Sequence, residues 1–192
     1  SLPNRIALIH ALAHIELNAI DLAWDIVIRF GRSLPREFTQ DWLKVADDEA
    51  RHFLLLDDRL QELGSYYGAL PAHDGLWEAA QQTSRNFAAR LAIVPMVLEA
   101  RGLDVSPGTI KRLKLAGDAL SANILDIIYH DEITHVSTGV KWFFFYCEEQ
   151  NLEPESEFKS CVAKYFRGVL KPPFNDSARA QAGFPESFYK LC

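Results

Sequence analysis

The chain has 192 residues and a formal net charge of -6. That length allows one domain with a sizeable core, or one domain with an appendage, and an acidic balance with no basic run speaks against a nucleic-acid surface. Cys147, Cys161 and Cys192 form no CxxC pair, no secretory signal is visible and no apolar run reaches the roughly 20 residues of a membrane span, so free thiols in a cytoplasmic protein are expected.

Residues 4–30 read as a long helix, because Ile9, Leu12, Ala13, Ile20, Ala23, Val27 and Phe30 recur at three and four, the period of a buried stripe. Glu16 stands inside that stripe, where an apolar residue is expected. Gly31 to Leu34 form a short link, and Pro35 suits a first helical turn. A second helix follows over about 36–63, with Phe38, Trp42, Val45, Leu56, Leu60 and Leu63 on its inner face and Glu49 and His52 interrupting it. Gly64 is its natural stop. A short link forces an antiparallel hairpin, which brings Glu16 and Glu49 to the same depth.

Residues 65–74 are rich in turn formers and read as a crossover. Asp74 is placed to cap a third helix over about 75–103, with Pro95 kinking it one turn before Glu99. Gly102 to Gly108 reads as a break, and residues 109–116 as a short helical piece. The fourth long helix covers about 118–150, with Leu125, Ile128, Glu132, His135, Gly139, Trp142 and Tyr146 inward. On this reading Glu99 lies near the end of its helix and Glu132 deep in the next, so the segment 104–117 has to fold back or overhang. A fifth helix is expected over 155–168. The remainder, Pro- and Phe-rich, is too aromatic for a disordered tail and is expected to pack on the bundle with short helices at most. The architecture is therefore all-α: a four-helix bundle over 1–150 with a C-terminal helical extension over 151–192.

Asp48-Glu49-Ala50-Arg51-His52 and Asp131-Glu132-Ile133-Thr134-His135 are two copies of one pattern. Residues three apart on a helix sit about 60° from each other on one face, so each Glu and His can grip one ion together. Glu16 and Glu49 are 33 residues apart, as are Glu99 and Glu132, and the two sets are related by a single offset of 83. Four buried carboxylates would repel one another and be costly to desolvate. Two divalent cations, with neutral histidines, bring the group near charge balance. Bundles with a Glu on each of two helices and Glu-x-x-His on the other two hold di-iron or di-manganese, and oxygen-rich ligation suits Fe or Mn better than Zn or Cu. The expected ligands are thus Glu16, Glu49, His52, Glu99, Glu132 and His135, around two Fe ions or an Fe/Mn mixture.

Asp48 and Asp131 are placed to accept the outer N–H of the metal-bound histidines, or are surface aspartates beside the ligands. Tyr129, three residues before Glu132, either relays electrons or protons or is a core tyrosine hydrogen-bonded to a ligand. His10 and His14 are expected to be structural, since His14 lies about 200° from Glu16 around the helix.

These residues carry a resemblance. Glu16, the two Asp-Glu-x-x-His boxes and Glu99 resemble the ferritin-like di-iron carboxylate superfamily over about 4–150. HALAHIELNAIDLAWD, PAHDGLW, EARGLDV and LKPPFN resemble a bacterial ferritin-like family of unknown function, and the EARH-type box is more distantly similar to the tRNA-modifying di-iron monooxygenase. The resemblance implies terminal ligation by Glu16 and Glu132, bridging by Glu49 and Glu99, and O₂ activation at a di-iron site; spacing leaves open which carboxylates bridge. It implies oxidase, hydroxylase, peroxidase or ferroxidase chemistry. The leading expectation is an O₂-using oxidase or hydroxylase acting on an unidentified small or tRNA-linked organic substrate, with an electron donor, as a monomer or dimer. An iron-storage or ferroxidase protein is one alternative, and would form a many-chain shell. A tRNA hydroxylase is the other, needing a surface such as Arg101, Lys111, Arg112 and Lys114.

Overall fold

The computed structural model describes residues 1–190, and Cys192 lies outside them. Helices are the only regular elements among the described residues. They fall into two compact units, one formed by Ser1–Trp77 and Ile110–Ile128, the other by Glu78–Thr109 and Tyr129–Cys192.

In the first unit, α1 (Leu2–Phe30) and α2 (Arg36–Glu62) form the expected hairpin, joined by a 3₁₀ turn over Gly31–Ser33. On α2 its seam is the expected stripe, but on α1 the buried line is turned: Ile20, Val27 and Phe30 are only half-buried, and Ala19, Leu22 and Ile26 face inward instead. Ile9, Ala13, Ala19, Leu22, Ala23 and Ile26 of α1 and Phe38, Trp42, Val45, Leu56 and Leu60 of α2 are buried. Gly64, with φ 77°, ends α2 in the left-handed conformation that glycine adopts without cost. The crossover lies against α1: Gly68 N–H donates to His10 Nε2 at 2.9 Å, and Tyr67 Oη and Asn18 Nδ2 lie 2.8 and 3.0 Å from the two nitrogens of His14. Both histidines are structural, as expected. By length and composition alone Leu2–Ser33 would suffice to cross a membrane. Counting unbroken apolar runs misses this, because a few polar residues punctuate an otherwise apolar helix.

A buried ion pair fastens the start of α6 (Ala119–Glu149) to α2. Asp118 caps α6 by accepting Ser121 N–H at 3.1 Å, and its carboxylate meets Arg59 at 3.0 Å and Arg5 at 3.1 Å. Burial by itself pushes this carboxyl up; the hydrogen bonds from Ser121 and the Arg59 and Arg5 guanidiniums outweigh it and hold Asp118 below its ordinary range.

Beyond the crossover the third predicted helix is three pieces. α3 (Gly75–Gln82) starts with Gly75 N–H bonded to His73 Nδ1 at 2.9 Å. It stops before Asn86, whose side chain takes Ala89 N–H at 2.8 Å and so caps α4 (Phe87–Ile93). α4 passes into a π turn over Val94–Glu99 and then α5 (Ala100–Leu115). The expected distortion at Pro95 is therefore a π turn: proline has no N–H for the α ladder, and the wider turn absorbs the missing bond. Ala100 N–H reaches back five residues to Pro95 O. Gly139 of α6 makes room for it, since a Cβ there would lie 2.6 Å from the Pro95 ring.

The expected break at Gly102–Gly108 does not occur; α5 runs through Gly102, Pro107 and Gly108. Pro107 cannot donate to Leu103 O, but Asn175 Nδ2 does so instead, at 3.0 Å. With the carbonyl satisfied, the helix continues. Nor does the segment 104–117 fold back or overhang. Glu99 lies sixteen residues before the end of α5 and Glu132 thirteen after the start of α6, much as Glu16 and Glu49 lie fourteen before and thirteen after their own link.

The C-terminal region packs by its rings, as its composition suggested. α7 (Pro154–Tyr165) lies on α4; Phe143 of α6 meets Phe158 and Phe188 edge-on at 6.1 and 6.4 Å, Phe144 stacks on Phe188 at 5.7 Å, and Phe158 and Phe188 lie 5.2 Å apart. Two short helices, α8 (Asp176–Gln181) and α9 (Glu186–Tyr189), follow. Cys147 and Cys161 are buried and form no disulfide; burial first, and then the Glu157 charge, push their thiols up to about 11 and about 12.

Because Asp118 titrates lower in the folded chain than its unfolded value near 3.9, its contribution is present above that pH and lost as pH falls through the folded pKa. Asp118→Ala should cost about 3 kcal/mol at pH 7, the scale of a broken buried pair. Urea titrations should show that difference shrinking as the pH falls from 5 to 3.

Candidate metal centre

Three of the six expected ligands converge in the first unit. Glu16 comes from the middle of α1, Glu49 and His52 from the middle of α2, and they are 4, 1 and 0 % exposed. His52 Nδ1 is 3.1 Å from Glu16 and 3.4 Å from Glu49. One donor atom from each of the three lies within 4.8 Å of the others. Ligands about 2.1 Å from a common ion are at most about 4.2 Å apart, so a small rotation of one carboxylate completes the grip. The hairpin is what produces this: equal depths on two antiparallel helices put Glu16 opposite Glu49, and the helical period brings His52 to the same face.

The second unit repeats the local geometry. His135 Nδ1 lies 3.3 Å from Glu132, one turn before it on α6, as His52 lies beside Glu49. His135 is fully buried, and the Glu132 side chain is 13 % exposed. Glu99 closes the π turn, and its Oε2 is buried. In both copies the nitrogen turned to the carboxylate is Nδ1.

These are the donors of a hard or borderline cation: carboxylate oxygens with one imidazole each and no thiolate. A dry, acidic cluster of this kind is costly to assemble without a cation, because each carboxylate loses its hydration on burial. The residues present therefore fit a divalent metal.

The flanking residues are placed as follows. Asp48 accepts from Arg51 Nη2 at 2.9 Å on the outer side of α2, and the Asp131 carbonyl accepts from Thr134 Oγ1. Tyr129 is half-buried, and its hydroxyl accepts from Asn175 Nδ2 at 3.0 Å. Sequence reasoning did not single out Asn175, Asp104 or Arg179, which meet around this point. Asp104 and Asn175 lie in the EARGLDV and LKPPFN runs, which gave no sign that the two segments are partners.

The family of the chain follows from comparison with known sequences. A family model described as "Protein of unknown function (DUF455)" matches residues 1–190. The chain belongs to that family. An uncharacterized protein of Haemophilus influenzae, 43 % identical over 186 residues, is similar over 94 % of this chain and 65 % of its own length. The chain thus spans about two thirds of that relative. No solved structure matches. Membership of the DUF455 family agrees with the expected likeness to a family of unknown function, and the match takes in the C-terminal region as well as the helices that carry the Glu and His residues.

Glu49→Gln keeps the shape of the site and removes one charge and one ligand oxygen. The wild-type chain should melt higher with added Mn²⁺ or Fe²⁺ than with chelator. In Glu49→Gln that metal-dependent rise should be lost, while the chelator-treated protein still melts cooperatively; differential scanning calorimetry reads both.

Proposed function

We propose that this chain is a ferritin-like metalloprotein that holds two divalent ions, iron or an iron/manganese pair. Each Glu-x-x-His pair anchors one ion, and Glu16 and Glu99 complete the ligand set. The observation that carries the reading is the buried convergence of Glu16, Glu49 and His52 within 4.8 Å. Its support is the same Glu–His contact on α6 at an offset of 83 residues. The offset extends to the helices themselves, since α2 begins at Arg36 and α6 at Ala119. A repeat shared by ligands and helix bounds is the pattern of two equivalent half-centres, each built from an antiparallel pair.

When bound, such a pair of ions supplies redox chemistry, and the proposed activity is O₂-dependent oxidation of a small organic substrate. The residues of the chain prepare for it. His52 and His135 stand against carboxylates through Nδ1, so the nitrogen that would hold a proton in the metal-free chain is the one an ion would take. Burial keeps water from Glu16, Glu49, His52 and His135 and so strengthens the charge interactions among them. Helices, not loops, carry all six residues, so the ligand positions stay fixed while the charge of the ions changes.

The purified chain should bind about two Fe per protein, the number its ligand set can hold, and exposure of the ferrous form to O₂ should give a transient visible absorption. Elemental analysis and stopped-flow spectroscopy check this. Glu49→Ala and His135→Ala should each lose metal and melt lower than wild type. A protein that retains a single zinc and is indifferent to O₂ would overturn the reading.

A further inference from the structure

Around residues 171–190 the chain forms a strap over the second unit, and its polar contacts concentrate at one place. Asn175 Nδ2 donates both to Leu103 O and to Tyr129 Oη, each at 3.0 Å. Leu103 follows Glu99 by one turn on α5, and Tyr129 precedes Glu132 by one turn on α6. One amide side chain therefore ties α5, which follows directly on Glu99, to α6, which bears Glu132, within a turn of each glutamate.

The rest of the strap holds that amide still. Asn175 N–H donates to Asp104 Oδ1 at 2.9 Å, and Asn175 Oδ1 caps α8 through Ala178 N–H. Arg179 makes a two-pronged pair with the buried Asp104, at 2.9 and 2.8 Å, and its guanidinium lies 4.4 Å from the Tyr189 ring centroid. A buried two-pronged arginine–carboxylate pair fixes orientation as well as distance. Both hydrogen bonds from Asn175 have a reason. Leu103 O has lost its helical donor at Pro107, and the half-buried Tyr129 hydroxyl gains a donor.

We propose that Asn175 is a positioning residue of the metal centre: through Tyr129 and Leu103 it sets the spacing of α5 and α6 at the level of Glu99 and Glu132. The proposal rests on the dinuclear reading above. It gives the C-terminal strap a role in the centre rather than only in the packing of the unit.

The test is Mn²⁺ titration of the full chain, with free ion read by electron paramagnetic resonance and melting followed in parallel. Tyr129→Phe and Asn175→Ser should each raise the half-saturating Mn²⁺ concentration about tenfold, the scale of losing a partner that orients ligands; serine still caps α8 but does not reach Tyr129. Pro107→Ala added to Asn175→Ser gives Leu103 O back a helical donor. It should restore the melting temperature without restoring affinity. Lys190→Ala, which breaks only the outer contacts of the strap to Asp176 and Glu186, should leave affinity unchanged. Wild-type affinity in Tyr129→Phe, or affinity that returns together with the melting temperature in Pro107→Ala/Asn175→Ser, overturns the proposal. Mn²⁺ binding that is absent, or indifferent to Glu132→Ala, is a different failure: it removes the dinuclear reading, and this inference with it.

Discussion

Desolvation of carboxylates is the constraint from which this structure is best understood. Two long helices of the first unit place Glu16 and Glu49 where the periodic pattern calls for leucine or alanine, at 4 and 1 % exposure. A lone carboxylate in such a place costs several kcal/mol and would relieve itself by taking up a proton or by turning outward. Here His52 lies against both glutamates, and the whole group sits midway along a hairpin whose remaining seam is apolar. The sequence tolerates that expense at the centre because the flanking turns bury Ile9, Ala13, Leu22, Phe38, Leu56 and Leu60 completely or nearly so. Hydrophobic burial at the two ends of the seam fixes the register that a polar middle alone would not.

The same logic of unmet polar groups organises the second unit, this time on the backbone. Pro95 and Pro107 each delete a donor from a helix. At Pro95 the chain responds by widening into a π turn, and Gly139 opposite gives the distorted turn space. At Pro107 it responds by borrowing a donor from Asn175, about seventy residues later. One proline therefore shapes the helix locally and the other ties it to a distant segment. Both lie within eight residues of Glu99. The irregularities of the unit cluster about its candidate ligand, whereas α1 and α2, which carry the other three, run without interruption.

An offset of 83 residues relates more than the glutamates and histidines. Shifting α1 and α2 by that amount lays them over the α4–π–α5 run and over α6. The two runs differ in their connections and contacts. α1 and α2 are joined by Gly31–Ser33 and meet the crossover through His10 and His14, while α5 and α6 are linked by a turn at Gly117, which has a positive φ. The local Glu–His geometry has stayed the same in both. A turn, a cap or a ring cluster can be exchanged without disturbing residues three apart on one helix.

Periodicity alone determined the helices whose boundaries are set by local chemistry: α1, α2, α6 and α7 begin and end within a few residues of where glycine, proline and the apolar stripe place them. It also determined that Glu16, Glu49 and His52 share one face and one depth, because a short link admits only an antiparallel hairpin. Tertiary structure decided the run from 83 to 117. Asn86 ends one helix by capping the next, and Gly102, Pro107 and Gly108, all helix breakers in isolation, remain helical because a side chain from the strap supplies the bond that proline lacks. A local pattern records which backbone groups go unpaired within a few residues. It holds no record of the partner that arrives from elsewhere in the chain, and at Leu103 that partner settles whether the helix continues.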